Sequence, residues 1–307
     1  MKKIFLLFSL LLFIHAENIN IEKLKIDCDN GDSASCLILS EKFNLFSENQ
    51  RLNYKYKACY YKNKKACRTI GNDYDLYCRL GNKNACKLVF IVFKQGCNIG
   101  DGISCGKIGE IYLFNYKIYG INKNELIAIK SFKKGCNIGD GVSCTYLGYI
   151  YENGIKVKPN KKLYLKFYKK ACSLNNSAAC VKLGFIYYKN EKLRAKYFEK
   201  ACKLGDNKSC FYIGSFYANG NGVKEDYQKA LEYYKISCNS EPNIGDSCNE
   251  LGTLYEDGNG VKKSISVAEY YYKKACDLKS SAGCENYKML KSGKKLFTEH
   301  VIPFIFD

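Results

Sequence analysis

The chain has 307 residues, a formal net charge of +19, eighteen cysteines, no tryptophan and only two histidines. With His15 inside an N-terminal apolar leader, His300 alone afterwards and no C-x-x-C pair, a zinc knuckle loses to disulfides as the role of the cysteines, and no bound metal or cofactor is expected. The charge is almost all Lys, with only four Arg and no nucleic-acid motif beside it, so specific nucleic-acid recognition is excluded as well.

Residues 1–16 read as a signal peptide: Lys2 and Lys3 precede an apolar run from Ile4 to Ile14, and Ala16 stands at a plausible cleavage point. An uncleaved anchor is the alternative. No later stretch approaches the roughly 18 apolar residues of a membrane span, so the expectation is an exported chain without an integral segment after cleavage. All eighteen cysteines follow Ala16, an even number suited to a disulfide framework in an oxidising compartment.

From residue 17 to about 290 the cysteines fall into couples. Eight have the spacing C-x7-C, namely Cys28/Cys36, Cys59/Cys67, Cys78/Cys86, Cys97/Cys105, Cys136/Cys144, Cys172/Cys180, Cys202/Cys210 and Cys276/Cys284; Cys238/Cys248 has two extra residues. Leaving out Cys78/Cys86, successive couples start 31, 38, 39, 36, 30, 36 and 38 residues apart, the period of a helical-repeat solenoid of seven to eight helix pairs.

Four residues after the second cysteine stands glycine (Gly71, Gly109, Gly148, Gly184, Gly214, Gly252) and seven after it tyrosine (Tyr74, Tyr112, Tyr151, Tyr187, Tyr217, Tyr255). Cys, Gly and Tyr thus share one face of a helix A, with the glycine admitting a neighbouring helix. Helix A is expected to end at glycine turns such as Glu152 to Gly154, Ala218 to Gly222 and Glu256 to Gly260. Helix B, with aromatic and alanine residues as in the stretches ending at Cys172 and Cys276, then packs on helix A. Within the couple Cys136/Cys144, Gly139 suits a left-handed helix stop and Asp140 or Ser143 the next helix start. A bridge across such a turn would close a nine-residue loop, worth about 2.5 kcal/mol.

Ten residues separate Cys78 from Cys67, and ten separate Cys86 from Cys97. This predicts a compact repeat with helix A over Cys67 to Cys78 and helix B over Cys86 to Cys97; a degenerate pair of half-repeats is the alternative. The stretch from Cys172 to Cys202 is a shortened repeat without the glycine turn, and residues 291–307 form a tail in which Pro303 forbids continuation of the helix. The tail is expected to cap the last repeat or to enter a groove of another molecule.

Units such as Lys200 to Tyr234 (KACKLGDNKSCFYIGSFYANGNGVKEDYQKALEYY) resemble Sel1-like repeats, relatives of the tetratricopeptide repeat. With C-x7-C couples throughout, the stretch from Cys28 to Tyr287 resembles the Helicobacter cysteine-rich proteins. The resemblance implies an all-α, right-handed superhelical solenoid of αα-hairpins, each couple bridged internally, with a concave recognition face lined by the A helices. It also implies secretion, periplasmic or extracellular, and a label as a weak penicillin-binding protein or β-lactamase.

Side chains two and five residues after the second cysteine are expected to face the groove: Lys107 and Glu110, Tyr146 and Tyr149, Lys182 and Phe185, Tyr212 and Ser215, Glu250 and Thr253. The aromatic members would anchor a peptide or protein partner. For a serine β-lactamase the candidates are Ser131 with Lys134 and Ser292 with Lys295, the second overlapping Lys291-Ser292-Gly293. The S-D-N element is missing, an all-helical fold has no strand to present the third motif, and chance alone yields about as many S-x-x-K runs, so a binding module is the preferred reading over a lactamase or a structural part of an envelope assembly. If every couple is bridged, the oxidised protein should weigh eighteen hydrogens less than the fully reduced one by intact mass spectrometry; a smaller loss would break this framework.

Overall fold

A computed structural model describes residues 20–42, 44–241 and 244–292, and the signal-peptide reading, His15, Lys295, His300 and the tail with Pro303 lie outside them. The described chain divides into two compact units, the first ending at Leu174 and the second starting at Asn175. Among the described residues the regular structure is entirely helical.

The first unit holds α1 (20–29), α2 (Ser33–Ser40), α3 (Glu48–Tyr60), α4 (Lys64–Arg79), α5 (Lys83–Asn98), α6 (Gly102–Glu110), α7 (Glu125–Ile138), α8 (Gly141–Asn153) and α9 (Lys161–Ser173). Even-numbered helices are A and odd-numbered ones B, and α2/α3, α4/α5, α6/α7 and α8/α9 pack as pairs. The second unit repeats the plan with α10 (Ser177–Ile186), α11 (Glu191–Lys203), α12 (Asn207–Asn219), α13 (Tyr227–Asn239), α14 (Gly245–Asp257), α15 (Ile265–Asp277) and α16 (Ser281–Lys291). The compact repeat is α4/α5, as its cysteine spacing predicts. α6 departs from the expectation of a simple glycine turn, since it runs on into a π-helical turn, Ile111–Asn115.

Each C-x7-C couple builds its turn with three devices at fixed positions. Three residues after the first cysteine the backbone turns left-handed, at Gly31, Gly81, Gly100, Gly139 and Gly205, and at the costlier Lys62, Asn175 and Lys279. One residue later a side chain caps the next helix: Asp32, Asn63, Asn82, Asp101, Asp140, Asn176, Asp206 and Ser280 each accept from backbone N–H groups of the first turn. At Cys136/Cys144 the cap is therefore Asp140, and Ser143 serves it by donating its hydroxyl to the same carboxylate. The second cysteine then stands in the opening of helix A, with Cα atoms 4.3 to 4.9 Å from the first across the eight bridges Cys28–Cys36, Cys59–Cys67, Cys78–Cys86, Cys97–Cys105, Cys136–Cys144, Cys202–Cys210, Cys238–Cys248 and Cys276–Cys284. Cys172 and Cys180 are disulfide-bonded too. At Cys238–Cys248 the extra residues displace the device, and Ile244 caps α14 without a side-chain hydrogen bond.

The repeated glycine of helix A has a specific occupant. A methyl group on Gly71, Gly109, Gly148, Gly184, Gly214 or Gly252 would fall 2.4 to 2.7 Å from the ring of Phe93, Phe132, Tyr168, Phe198, Tyr234 or Tyr272 respectively. These six rings, each four residues before the next cysteine, are among the most buried side chains. The close approach that the sequence suggested is thus made by one ring of helix B seated on the glycine. In α2/α3 both partners are missing together: Ser40 replaces the glycine and Lys55 the ring.

The repeated tyrosine packs beside this notch. Tyr151, Tyr187, Tyr217 and Tyr255 lie nearly parallel to Phe167, Tyr197, Tyr233 and Tyr271, centroids 5.6 to 5.7 Å apart. Such pairs contribute about 0.5–1.5 kcal/mol beyond their burial.

Gly252→Ala should therefore drive a methyl into the Tyr272 ring and destabilise the protein by about 1–3 kcal/mol. Thermal unfolding of the oxidised protein checks this, and pairing the change with Tyr272→Leu should recover part of the loss.

Candidate binding face on the A helices

The positions two and five residues after the second cysteine do not form one uniform surface. In the first unit Lys107 and Glu110 neutralise each other, Nζ to Oε2 at 2.9 Å. Tyr146 is half-buried, its ring 4.8 Å from Phe132 and 5.5 Å from Phe114, and burial raises its phenol above the ordinary value. Tyr149, next to the notch glycine Gly148, is 41% exposed.

In the second unit Lys182 is exposed. Phe185 is 39% exposed and meets two rings edge-on, Phe198 at 5.2 Å and Tyr212 at 5.8 Å. Tyr212 is half-buried and tilts over Phe198 at 4.8 Å. The notch ring Phe198 thus forms the floor on which one residue from α10 and one from α12 stand as neighbours.

Two expected groove residues do not belong to this face. Ser215 is buried, hydrogen-bonded to Tyr234 and accepting from Asn219 Nδ2 at 3.3 Å. Thr253 is half-buried, its hydroxyl 3.2 Å from that of Tyr272. Both follow a notch glycine whose ring is a tyrosine, and a buried phenol O–H requires a partner. Glu250, also half-buried, accepts from Asn249 Nδ2 at 3.3 Å.

One residue that the repeat pattern did not single out lies under this aromatic group. Arg194 of α11 is only 9% exposed, and its guanidinium carbon is 5.8 Å from the Phe198 ring and 5.2 Å from the Phe216 ring. Burial lowers its pKa from the usual arginine value, against the raising influence of Tyr212 and Glu191. The signal was present in the sequence, since Arg194 is one of only four arginines among 49 Lys and Arg.

Of the serine and lysine candidates, Ser131, Lys134 and Ser292 lie among the described residues. Ser131 is half-buried rather than facing solvent, because it occupies the position five before the cysteine that carries the stacking ring elsewhere. Lys134 donates to Asn98 Oδ1 at 3.4 Å. Ser292 donates to the carbonyl of Met289 at 2.9 Å. A third S-x-x-K run, Ser104 to Lys107, escaped the sequence reading, and there the buried Ser104 hydroxyl serves the cap Asp101 while Lys107 pairs with Glu110. No described helix is long and apolar enough to cross a membrane.

Several buried phenols depend on carboxylate partners: Tyr168 donates to Glu152 at 2.8 Å and Tyr272 to Glu256 at 2.7 Å. Burial first, and then these carboxylates, raise both pKa values, and burial raises that of Tyr234. Because the folded values lie above the unfolded one, their stabilisation is complete below the ordinary tyrosine pKa of 10.0 and is lost as pH rises past it. The melting temperature should accordingly fall above about pH 10, in step with tyrosinate absorbance.

The Sel1 repeat family model matches residues 141–176, 195–206, 207–241 and 245–280. Helicobacter pylori cysteine-rich protein B is 36% identical over 43% of this chain and 98% of its own, with a TM-score of 0.34. A protective antigen with an SLR fold, present in uropathogenic Escherichia coli strains, aligns at 19% identity over 90% of this chain and 68% of its own, with a TM-score of 0.52. A Sel1 repeat protein from Oxalobacter formigenes aligns at 25% identity over 65% and 82%, with a TM-score of 0.47. No curated protein matches the chain.

Proposed function

The chain belongs to the Sel1-repeat family of cysteine-rich proteins, and from that premise we propose that it is a secreted module binding a peptide or protein partner on its A helices. Sel1 repeats are protein-interaction scaffolds. The oxidised cysteine framework is that of a protein of an oxidising, extracytoplasmic compartment. Export, to the periplasm or to the extracellular space, is part of the proposal and rests on the reading of residues 1–16 as a signal peptide.

The observation that carries the reading is the pair Phe185 and Tyr212. Both rings are held by the core ring Phe198 while keeping open faces, so little conformational freedom remains to be lost when a ligand covers them. Rigid aromatic side chains of this kind are the usual anchors of an interface. Tyr149 extends the same kind of anchor to the first unit.

Selection of displayed peptides on the oxidised protein should enrich ligands whose affinity falls at least tenfold, about 1.4 kcal/mol, in a Phe185→Ala/Tyr212→Ala double variant that retains its fold. Equal binding by the double variant would remove this face from the reading.

A further inference from the structure

The openings of three B helices, α7, α11 and α13, are approached from within the chain by the connector of the following repeat. In α8/α9 the connector 154–160 brings Lys156 near enough to Glu125, the first residue of α7, to act on its charge, although the ion pair of Glu125 is with Lys123, at 3.1 Å. In α12/α13 a methyl on Gly222 would fall 2.3 Å from the backbone of Glu191, the first residue of α11. In α14/α15 one on Gly260 would fall 2.7 Å from the backbone of Tyr227, the first residue of α13. Val223 and Val261, which follow these glycines, pack against the core.

The compact repeat has no such connector, because α4 passes to α5 through residues 80–82 alone. The opening of α3 is consequently left beside a cleft of about 580 Å3, lined by Asn49, Leu52 and Asn53 of α3, Tyr74 and Tyr77 of α4, and Leu88 of α5. Its lip carries Glu48, the first residue of α3 and so the counterpart of Glu125, which accepts a hydrogen bond from the Tyr77 hydroxyl. Asn49 and Asn53 stand one helical turn apart on one face, and each amide can both donate to and accept from a peptide unit.

We propose that this cleft binds an extended peptide segment of a partner protein carrying a Lys-aliphatic-Lys pattern, in the place that the connector takes in the sister repeats. The chain supplies its own template, since the connector over Glu125 reads Lys156-Val157-Lys158 and the other two read Gly222-Val223-Lys224 and Gly260-Val261-Lys262. The first lysine meets Glu48, the one acidic residue lining the cleft. The aliphatic side chain covers Leu52, Leu88 and the Tyr74 ring, while the two asparagines hold the backbone. This site is separate from the aromatic face around Phe185, and either can fail alone.

The test is a titration of the isotope-labelled, oxidised full chain with the heptapeptide Gly-Ile-Lys-Val-Lys-Pro-Asn, read by the side-chain amide resonances of Asn49, Asn53 and Asn84. Saturable shifts of these amides are expected, at least tenfold weaker for a peptide with Asp in place of Val, and lost in Leu88→Arg. Asn53→Ala, an exposed change, should weaken binding as well, so the outcome does not hinge on the fold of one variant. Shifts that never saturate, or that survive both substitutions, would overturn the proposal, whereas the Phe185→Ala/Tyr212→Ala variant should titrate like the parent.

Discussion

Cysteines eight residues apart in one unbroken helix would stand about 12 Å apart, beyond the reach of a disulfide, so in this helical chain each such bridge requires one helix to stop and the next to begin within the span. This constraint organises the chain. It requires a left-handed residue at the third position, a capping side chain at the fourth and the second cysteine in the first turn of the new helix, and the couples supply them. Where the position is filled by Lys62 or Lys279 the covalent bond and the cap hold a conformation that an L-residue resists. The B-to-A turn is thereby fixed, and helix A leaves it in a set direction.

The ring on glycine fixes the complementary A-to-B contact. One missing Cβ admits one aromatic ring, and the parallel rings beside it complete the interface. Each helix is thus specified twice, by a bond at one end and by a notch along its length. Because these contacts join neighbours in sequence, stability is close to a sum over repeats, and an alteration in one is felt mainly by those adjacent.

Much of this was legible because packing positions recur while surface positions do not. The cysteine couples, Gly71 and its equivalents and the compact α4/α5 repeat could be read from spacing alone. What fills the glycine could not, since the partner ring lies some twenty residues away, although an aromatic four residues before a cysteine was a visible signal. Ser215 and Thr253 turn inward for a reason equally distant in sequence: each hydroxyl pairs with the phenol seated on the neighbouring glycine, Tyr234 or Tyr272, whereas beside Gly148 the phenol of Tyr168 pairs with Glu152 and Tyr149 stays exposed. Tyr149, Phe185 and Tyr212 kept open faces, and Ser131 lost its functional meaning once its place in the stacking position was apparent.

The bridges between paired residues named here share one further property: each joins cysteines that are consecutive in the chain. A growing chain oxidised from its beginning therefore reaches the native pairing by linking every cysteine to the next one to emerge, with no early mispairing to undo. Thiol–disulfide reshuffling, otherwise the slow stage for a protein so rich in cysteine, is bypassed by the order of synthesis.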